Sequence, residues 1–252
     1  MGLPEGYLDR TGNFLLGVEQ GRYQGYNIIH KFGRNSDQDS ADLPADLWDG
    51  GGGGGEYTGF PVSDSEKVEL VSSSASDTND VFISGLDDDY NEVSETITLT
   101  GTTPVDSLNT YRRVNRGYNA SGTNFVGTIT CRHTTTTTNV FFVIPPTSPV
   151  PNQTQIAAYT VPAGYDAYLL HVRSSMFTAN TVRCSGGFYI REPGGVFRMN
   201  VPFDVAGGQQ FSEDFPGGIP YGPKTDMIIR IHSASGNNVP IIGRFDLLLV
   251  QR

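Results

Sequence analysis

Short β-branched segments recur along the whole chain, separated by clusters of glycine, proline, asparagine and aspartate. This rhythm constrains the fold more than any other feature. Glu95-Thr-Ile-Thr-Leu-Thr and Gly127-Thr-Ile-Thr-Cys-Arg alternate strictly, and Val68-Glu-Leu-Val-Ser alternates loosely. Successive side chains of a strand point to opposite faces, so alternation marks a strand with one face buried. Asn139-Val-Phe-Phe-Val-Ile is continuous instead, and reads as a strand buried on both faces. Ala167-Tyr-Leu-Leu-His-Val, Gly187-Phe-Tyr-Ile-Arg, Val196-Phe-Arg-Met-Asn-Val, Met227-Ile-Ile-Arg-Ile-His and Phe245-Asp-Leu-Leu-Leu-Val complete the set. Strands spaced about 8 to 12 residues apart predict an all-β protein built from antiparallel β-sandwich or jelly-roll-like domains. The best helical segment, Leu43-Pro-Ala-Asp-Leu-Trp, allows at most one turn before the glycines that follow. Phe141, Phe142, Leu169, Phe188, Phe197, Ile229, Leu247 and Leu249 are the expected core anchors.

A chain of 252 residues has room for two ordinary β domains. Pro145-Pro-Thr-Ser-Pro-Val-Pro cannot be a central strand, because proline lacks the backbone donor and fixes φ. It is the expected linker, 145–151, between an N-terminal β domain over 31–144 and a C-terminal β-sandwich over 152–252. Residues 1–30, rich in glycine and tyrosine, read as an extended N-terminal arm. Gly50–Gly55, a run of glycines only, reads as a flexible surface loop, since glycine loses the most backbone freedom on ordering.

Charge and hydropathy exclude several classes. Charged residues are 17% and hydrophobic ones 37%, too little charge for disorder. No apolar run approaches the roughly 20 residues that span a bilayer, so no membrane partner is expected. The start, MGLPEGYLDRTGNF, has neither a basic region nor an apolar stretch, and Gly6 stands where myristoylation wants Ser or Thr. Synthesis in a cytoplasm is the expectation. Between Asp37 and Asp106 there are 17 acidic residues against the single base Lys67, within a net charge of −10. Such a surface repels phosphates, so no nucleic-acid partner is expected. Arg112, Arg113, Arg116 and Arg132 follow. They read either as part of a solvated surface or as cations that meet carboxylates of a neighbouring subunit.

Catalytic signatures are missing. His30, His133, His171 and His232 lack ligand spacing, and no GxSxG or GK[ST] occurs. His171 and His232 fall in strand patterns and read as structural. Cys131 and Cys184 read as buried small hydrophobes rather than a disulfide or metal pair. Asp87, Asp89 and Glu92 could converge on calcium, but the loop lacks the glycine and glutamate of an EF-hand and reads better as a polar β-turn between Ile83 and Val93. Asn119-Ala-Ser and Asn152-Gln-Thr match the glycosylation sequon, which means nothing without a leader. No catalytic, cofactor or metal residue is assigned, and an enzyme is not expected.

Several stretches resemble structural proteins of tailed bacteriophages. They are Gly25-Tyr-Asn-Ile-Ile-His-Lys-Phe-Gly-Arg-Asn, Leu47-Trp-Asp-Gly-Gly-Gly with Tyr57-Thr-Gly-Phe-Pro, Ser72-Ser-Ser-Ala-Ser-Asp, and Gly85-Leu-Asp-Asp-Asp-Tyr-Asn-Glu-Val-Ser-Glu-Thr-Ile-Thr-Leu-Thr-Gly. Tyr111-Arg-Arg-Val-Asn-Arg, Tyr159-Thr-Val-Pro-Ala-Gly-Tyr, Arg191-Glu-Pro-Gly-Gly-Val-Phe-Arg and Lys224-Thr-Asp-Met extend the likeness over most of the chain. The resemblance implies a virion component without catalytic residues, made in a bacterial cytoplasm. Its first expected role is a capsid decoration or cement protein, a homotrimer docked on the major capsid protein or other virion proteins. The alternative is a tail or fibre component that binds a host-surface glycan through Tyr57, Phe60, Tyr90 and Tyr118.

Overall fold

Alternation becomes strand wherever it was strongest. A computed structural model of the chain describes residues 14–50, 55–61, 65–146, 152–178 and 181–252, and is almost entirely antiparallel β. In chain order the elements are α1 (Phe14–Glu19), β1 (Tyr26–Gln38), β2 (Ala45–Asp46), β3 (Glu66–Ser72), β4 (Asp80–Leu86) and β5 (Glu92–Thr98). Next come β6 (Val105–Tyr111), β7 (Arg113–Asn119), β8 (Ile129–His133), β9 (Val140–Ile144) and β10 (Ala158–Thr160). The last six are β11 (Tyr165–Met176), β12 (Arg183–Arg191), β13 (Arg198–Ala206), β14 (Gln210–Tyr221), β15 (Asp226–Ala234) and β16 (Val239–Gln251).

The larger sandwich faces the sheet β1-β16-β11-β14 with the sheet β10-β15-β12-β13, and β2 is added beside β15. In β16 the residues Val239, Ile241, Gly243, Phe245, Leu247 and Leu249 are buried, while the residues between them are partly or fully exposed. Their apolar side chains meet Phe188, Ile229 and Ile231 from the opposite sheet in one core. Phe188 and Phe245 pack edge to face with centroids 5.1 Å apart, a favoured aromatic geometry.

The first strand corrects the expected boundaries. β1 pairs with β16 from Tyr26 opposite Val250 to Gln38 opposite Val239, so the divide placed at 30/31 falls inside a strand of the C-terminal sandwich. Residues 14–19 form a helical turn and 26–30 are paired in the sheet, rather than reaching out as an arm. Residues 1–13 and the proline-rich 147–151 lie outside the described residues, as do 51–54 of the glycine run. What holds β1 here is a notch made by two glycines. Gly33 and Gly243 oppose each other in the ladder, and buried Leu47 lies across both. A Cβ on Gly33 would stand 2.1 Å from the Leu47 carbonyl oxygen, and one on Gly243 would stand 2.5 Å from Leu47 Cδ1. Only glycine leaves that room.

The segment 43–48 is likewise not helical: Ala45 and Asp46 form β2, drawn to β15 by the pairing of Asp46 with Arg230. The smaller sandwich, β3 to β9, is therefore an insertion between β2 and β10 of the larger one. Its sheets β6-β3-β8-β9 and β5-β4-β7 enclose Val68, Leu70, Val81, Ile83, Phe141, Phe142 and Ile144. This core continues into Ile156, Ala158 and Ile228 of the larger sandwich. Seven of the expected anchors are buried. Phe197 is the exception: half-buried, it packs on the edge of the insert core, beside Phe60 and under the Arg191 guanidinium.

Candidate functional site

Polar residues that both sandwiches bury converge where the insert joins the larger body. Asp226 opens β15, Arg191 ends β12 and Arg113 opens β7 of the insert. Arg113 Nε donates to Asp226 Oδ1 at 2.9 Å, and Arg191 donates to Oδ2 from Nε at 2.9 Å and from Nη2 at 2.6 Å. Thr160 Oγ1 donates to Oδ1 at 2.5 Å. Arg113 and Asp226 are only 3% and 5% exposed, so the pair is held out of water. One carboxylate serves two guanidiniums. The remaining positive charge is met by carbonyl oxygens of Pro61 and Arg112 for Arg113, and of Phe60 for Arg191, with the Phe60 ring beneath both. A second clamp repeats the logic: Arg230 donates to both oxygens of buried Asp46 at 2.6 and 2.9 Å, and Asp46 also accepts the Tyr57 amide at 2.7 Å. Such bidentate pairs fix orientation as well as energy.

Beside the junction runs an open-sided cleft of about 750 Å³ between edge strand β1 and the outer face of β5-β4-β7. Phe82 pairs with Tyr118, and Ser84 with Arg116, across the β4–β7 ladder, which sets all four on one wall. Lys31 enters from β1 and donates to the Asn115 carbonyl oxygen at 2.5 Å. Burial pushes its ammonium down to about 7, and the nearby positive charge of Arg116 adds to the shift. Among the described residues no carboxylate pairs with Lys31 or Arg116, and Arg116 rests over the Tyr118 ring at 5.2 Å. Glu92 is the acid among the described residues that line the cleft.

On the outer face of the β1-β16-β11-β14 sheet, α1 leaves Phe14, Leu15 and Leu16 about two-fifths exposed, with Tyr26 beside them. His30 ties this helix down, its Nε2 against Glu19 at 2.8 Å and its Nδ1 against Asp246 at 2.7 Å. Burial alone would lower the His30 pKa. The hydrogen bonds to Asp246 and Glu19, with the charges of both, outweigh it and raise the pKa above 6.5. A raised pKa means that the folded form holds the proton more tightly. The attachment is therefore complete below about 6.5, the unfolded value, and is lost as pH rises through the folded value. NMR titration of the His30 ring is expected to give a midpoint above 6.5, with Val18 and Gln20 amides moving at the same pH. A midpoint at or below 6.5 would show that the two carboxylates do not act on the ring. The energetic effect is small because the ring is 51% exposed.

The residues singled out in the sequence are dispersed. Arg113 and Arg112 pair within the chain, with Asp226 and Asp88, which corrects the expectation that they reach across a subunit boundary. Arg132 pairs with Glu69. Asp87 closes the expected turn by accepting the amides of Asp89 and Asn91, so its oxygens face the chain itself. Cys131 and Cys184 are free and buried, one in each core. His133 is buried, accepting from Asn139 and donating to the Tyr111 carbonyl oxygen. His171 contacts Asp214 through Nδ1, and His232 is exposed. Of the four aromatic candidates, Tyr57 and Phe60 are buried, Tyr90 is overlain by Arg112, Arg113 and Lys224, and Tyr118 lines the cleft. Lys31 and Asp226 were not singled out. For Lys31 a signal existed: alternation in Ile28-Ile-His-Lys-Phe places it on the same face as Ile29, and a lysine facing inward has a reason to be there.

No protein-family model matches the chain, and no curated protein matches it. Among solved structures it is similar to one described as "Structure of infectious bursal disease virus Gt strain", with a TM-score of 0.24 and 9% identity over 94% of this chain and 78% of that one. The corresponding structure of the Gx strain gives a TM-score of 0.16 and 9% identity over 90% of this chain and 81% of that one. At such scores the likeness assigns no role to this chain.

Proposed function

We propose that the chain is a structural protein of a virus particle, of the tailed-bacteriophage kind that its residues resemble, and that it serves as a capsid decoration protein. It stabilises the head through contacts with the major capsid protein and assembles as a homotrimer. The observation that carries this reading is the apolar surface around α1. Phe14, Leu15, Leu16 and Tyr26 stand exposed together on the outer face of a rigid sheet, and grouped apolar residues of this kind favour contact with another protein. The insertion architecture and its buried clamps suit a body that transmits load. A cyclic trimer closes on itself and matches the points where three shell subunits meet.

Sedimentation of the full chain is expected to give a trimer, and Leu15→Ser with Leu16→Ser should shift it towards monomer while leaving the β-sheet spectrum unchanged. A monomer at micromolar concentrations, bound to particles equally well after the double substitution, would contradict the reading. A cryo-EM map of the particle tests the location: decoration predicts copies on the order of hundreds, whereas about six or twelve would place the chain in a tail. The tail or fibre alternative, with a glycan bound by exposed rings, keeps Tyr118 as its best-placed residue.

A further inference from the structure

We propose that the cleft between β1 and the outer face of β5-β4-β7 binds a monocarboxylated saccharide, with Arg116 and Lys31 holding the carboxylate. This site goes beyond the shell role and stands or falls without it.

Three observations converge. The first is unused charge. A largely buried ammonium and an exposed guanidinium line the cleft, one spending a single hydrogen bond on Asn115 and the other making only a ring contact. Two like charges held this close raise each other's energy, and an anion between them would relieve it. The second is the charge count. Protonated Lys31 and Arg116 against Glu92 leave the cleft a net charge of one, while His30, also on the lining, spends both ring nitrogens on Glu19 and Asp246. That suits a single carboxylate and disfavours a nucleotide, whose several phosphate charges would face Glu92. The third is the lining. The rings of Phe82 and Tyr118, packed on each other with centroids 4.9 Å apart, line the cleft together with hydroxyl and amide groups of Ser84, Ser94 and Gln153, which suits a ligand with apolar ring faces and hydroxyl edges. A volume of about 750 Å³ lies within the range of small-molecule sites and holds one or two sugar rings. Arg116 supplies the planar fork that carboxylates favour.

Binding is linked to protonation. The charge of Arg116 on β7 acts on Lys31, and Glu92 on β5, Tyr159 of β10 and its own neighbour His30 on β1 also line the cleft. Since the ammonium is half-protonated near pH 7, a carboxylate should draw a proton into the site on binding. Affinity then falls as pH rises above about 7, by up to about tenfold per unit.

The test is NMR titration of the full chain with D-glucuronate, using D-glucose and acetate as comparison probes. Glucuronate is expected to saturate, moving the Tyr118 ring and the Asn115 and Arg116 signals, with a Kd on the order of 1 mM. Glucose should not bind, and acetate should bind at least about tenfold more weakly. Arg116→Gln should weaken glucuronate at least about tenfold with an unchanged melting temperature, since Arg116 is exposed. Lys31→Met should weaken it too and remove the pH dependence. Glucose binding as tightly as glucuronate, acetate binding as tightly as glucuronate, or undiminished binding by Arg116→Gln would each overturn the proposal, as would the absence of saturation.

Discussion

Asp226→Ala is expected to destabilise the protein by about 3–5 kcal/mol, because it leaves two guanidiniums in a dry junction without their counter-charge. Arg113 is 3% exposed and Arg191 16%, so water cannot replace the lost carboxylate without opening the contact between the sandwiches. Thr160 Oγ1 loses its acceptor in the same step. The change in melting temperature should be on the order of 10 °C for a chain of this size. Removing the whole group is a different experiment. Replacing Arg113 and Arg191 by Met and Asp226 by Leu together removes the uncompensated charge as well as the attraction. Its loss should be well below that of Asp226→Ala, because desolvating three charges offsets much of what their pairing supplies. Urea unfolding measures both. A loss below about 1 kcal/mol for Asp226→Ala would mean that solvent reaches the cluster and that the junction is loose.

Asp226 also shows where reading the sequence stops. Its partner Arg113 lies 113 residues away, and alternation tells which face a side chain takes but not which distant strand it meets. From the sequence Arg113 therefore reads only as part of a basic cluster, with nothing to name Asp226 as its partner. Most sheet interiors were legible, β4 being the exception. Strands β3, β8, β11, β12, β15 and β16 all lie between two neighbours, and all follow apolar or β-branched patterns. Edges were legible only in part: β5, β9 and β13 follow the patterns named in the sequence, whereas β1, β6, β7 and β14, each also with one neighbour in the hydrogen-bonded order, carry polar or turn-like residues. Edge strands blunt their free side with such residues to avoid pairing with other chains. In β14, Phe215-Pro-Gly-Gly-Ile-Pro-Tyr looks like a turn, yet proline is tolerated on an edge because its missing donor faces solvent. Misplacing β1 moved the domain boundary, and the cleft that β1 lines was lost with it. Lys31 and Arg116 come together only once β1 is known to stand opposite β7.

Phe142→Ala is expected to cost about 3–5 kcal/mol, through lost burial and the cavity left behind. The ring is fully buried in the insert core, and the backbone of β7 rests against it. A Cβ on Gly117 would lie 2.5 Å from the Phe142 Cζ, so the two positions share one space. Gly117→Ala alone should therefore destabilise by about 1–3 kcal/mol through overpacking. Combined with Phe142→Leu, which withdraws the ring tip, it should do far less harm than the two separate losses added together. A coupling of about 0.5–3 kcal/mol in that cycle is the signature of direct contact. Additive losses would mean that β7 moves away from Phe142 without resistance. A Phe142→Ala loss below about 1 kcal/mol would mean that the ring faces solvent. In either case the β5-β4-β7 sheet would not be fixed against its core, and the outer wall that carries Arg116 and Tyr118 would lose the rigid backing on which the cleft depends.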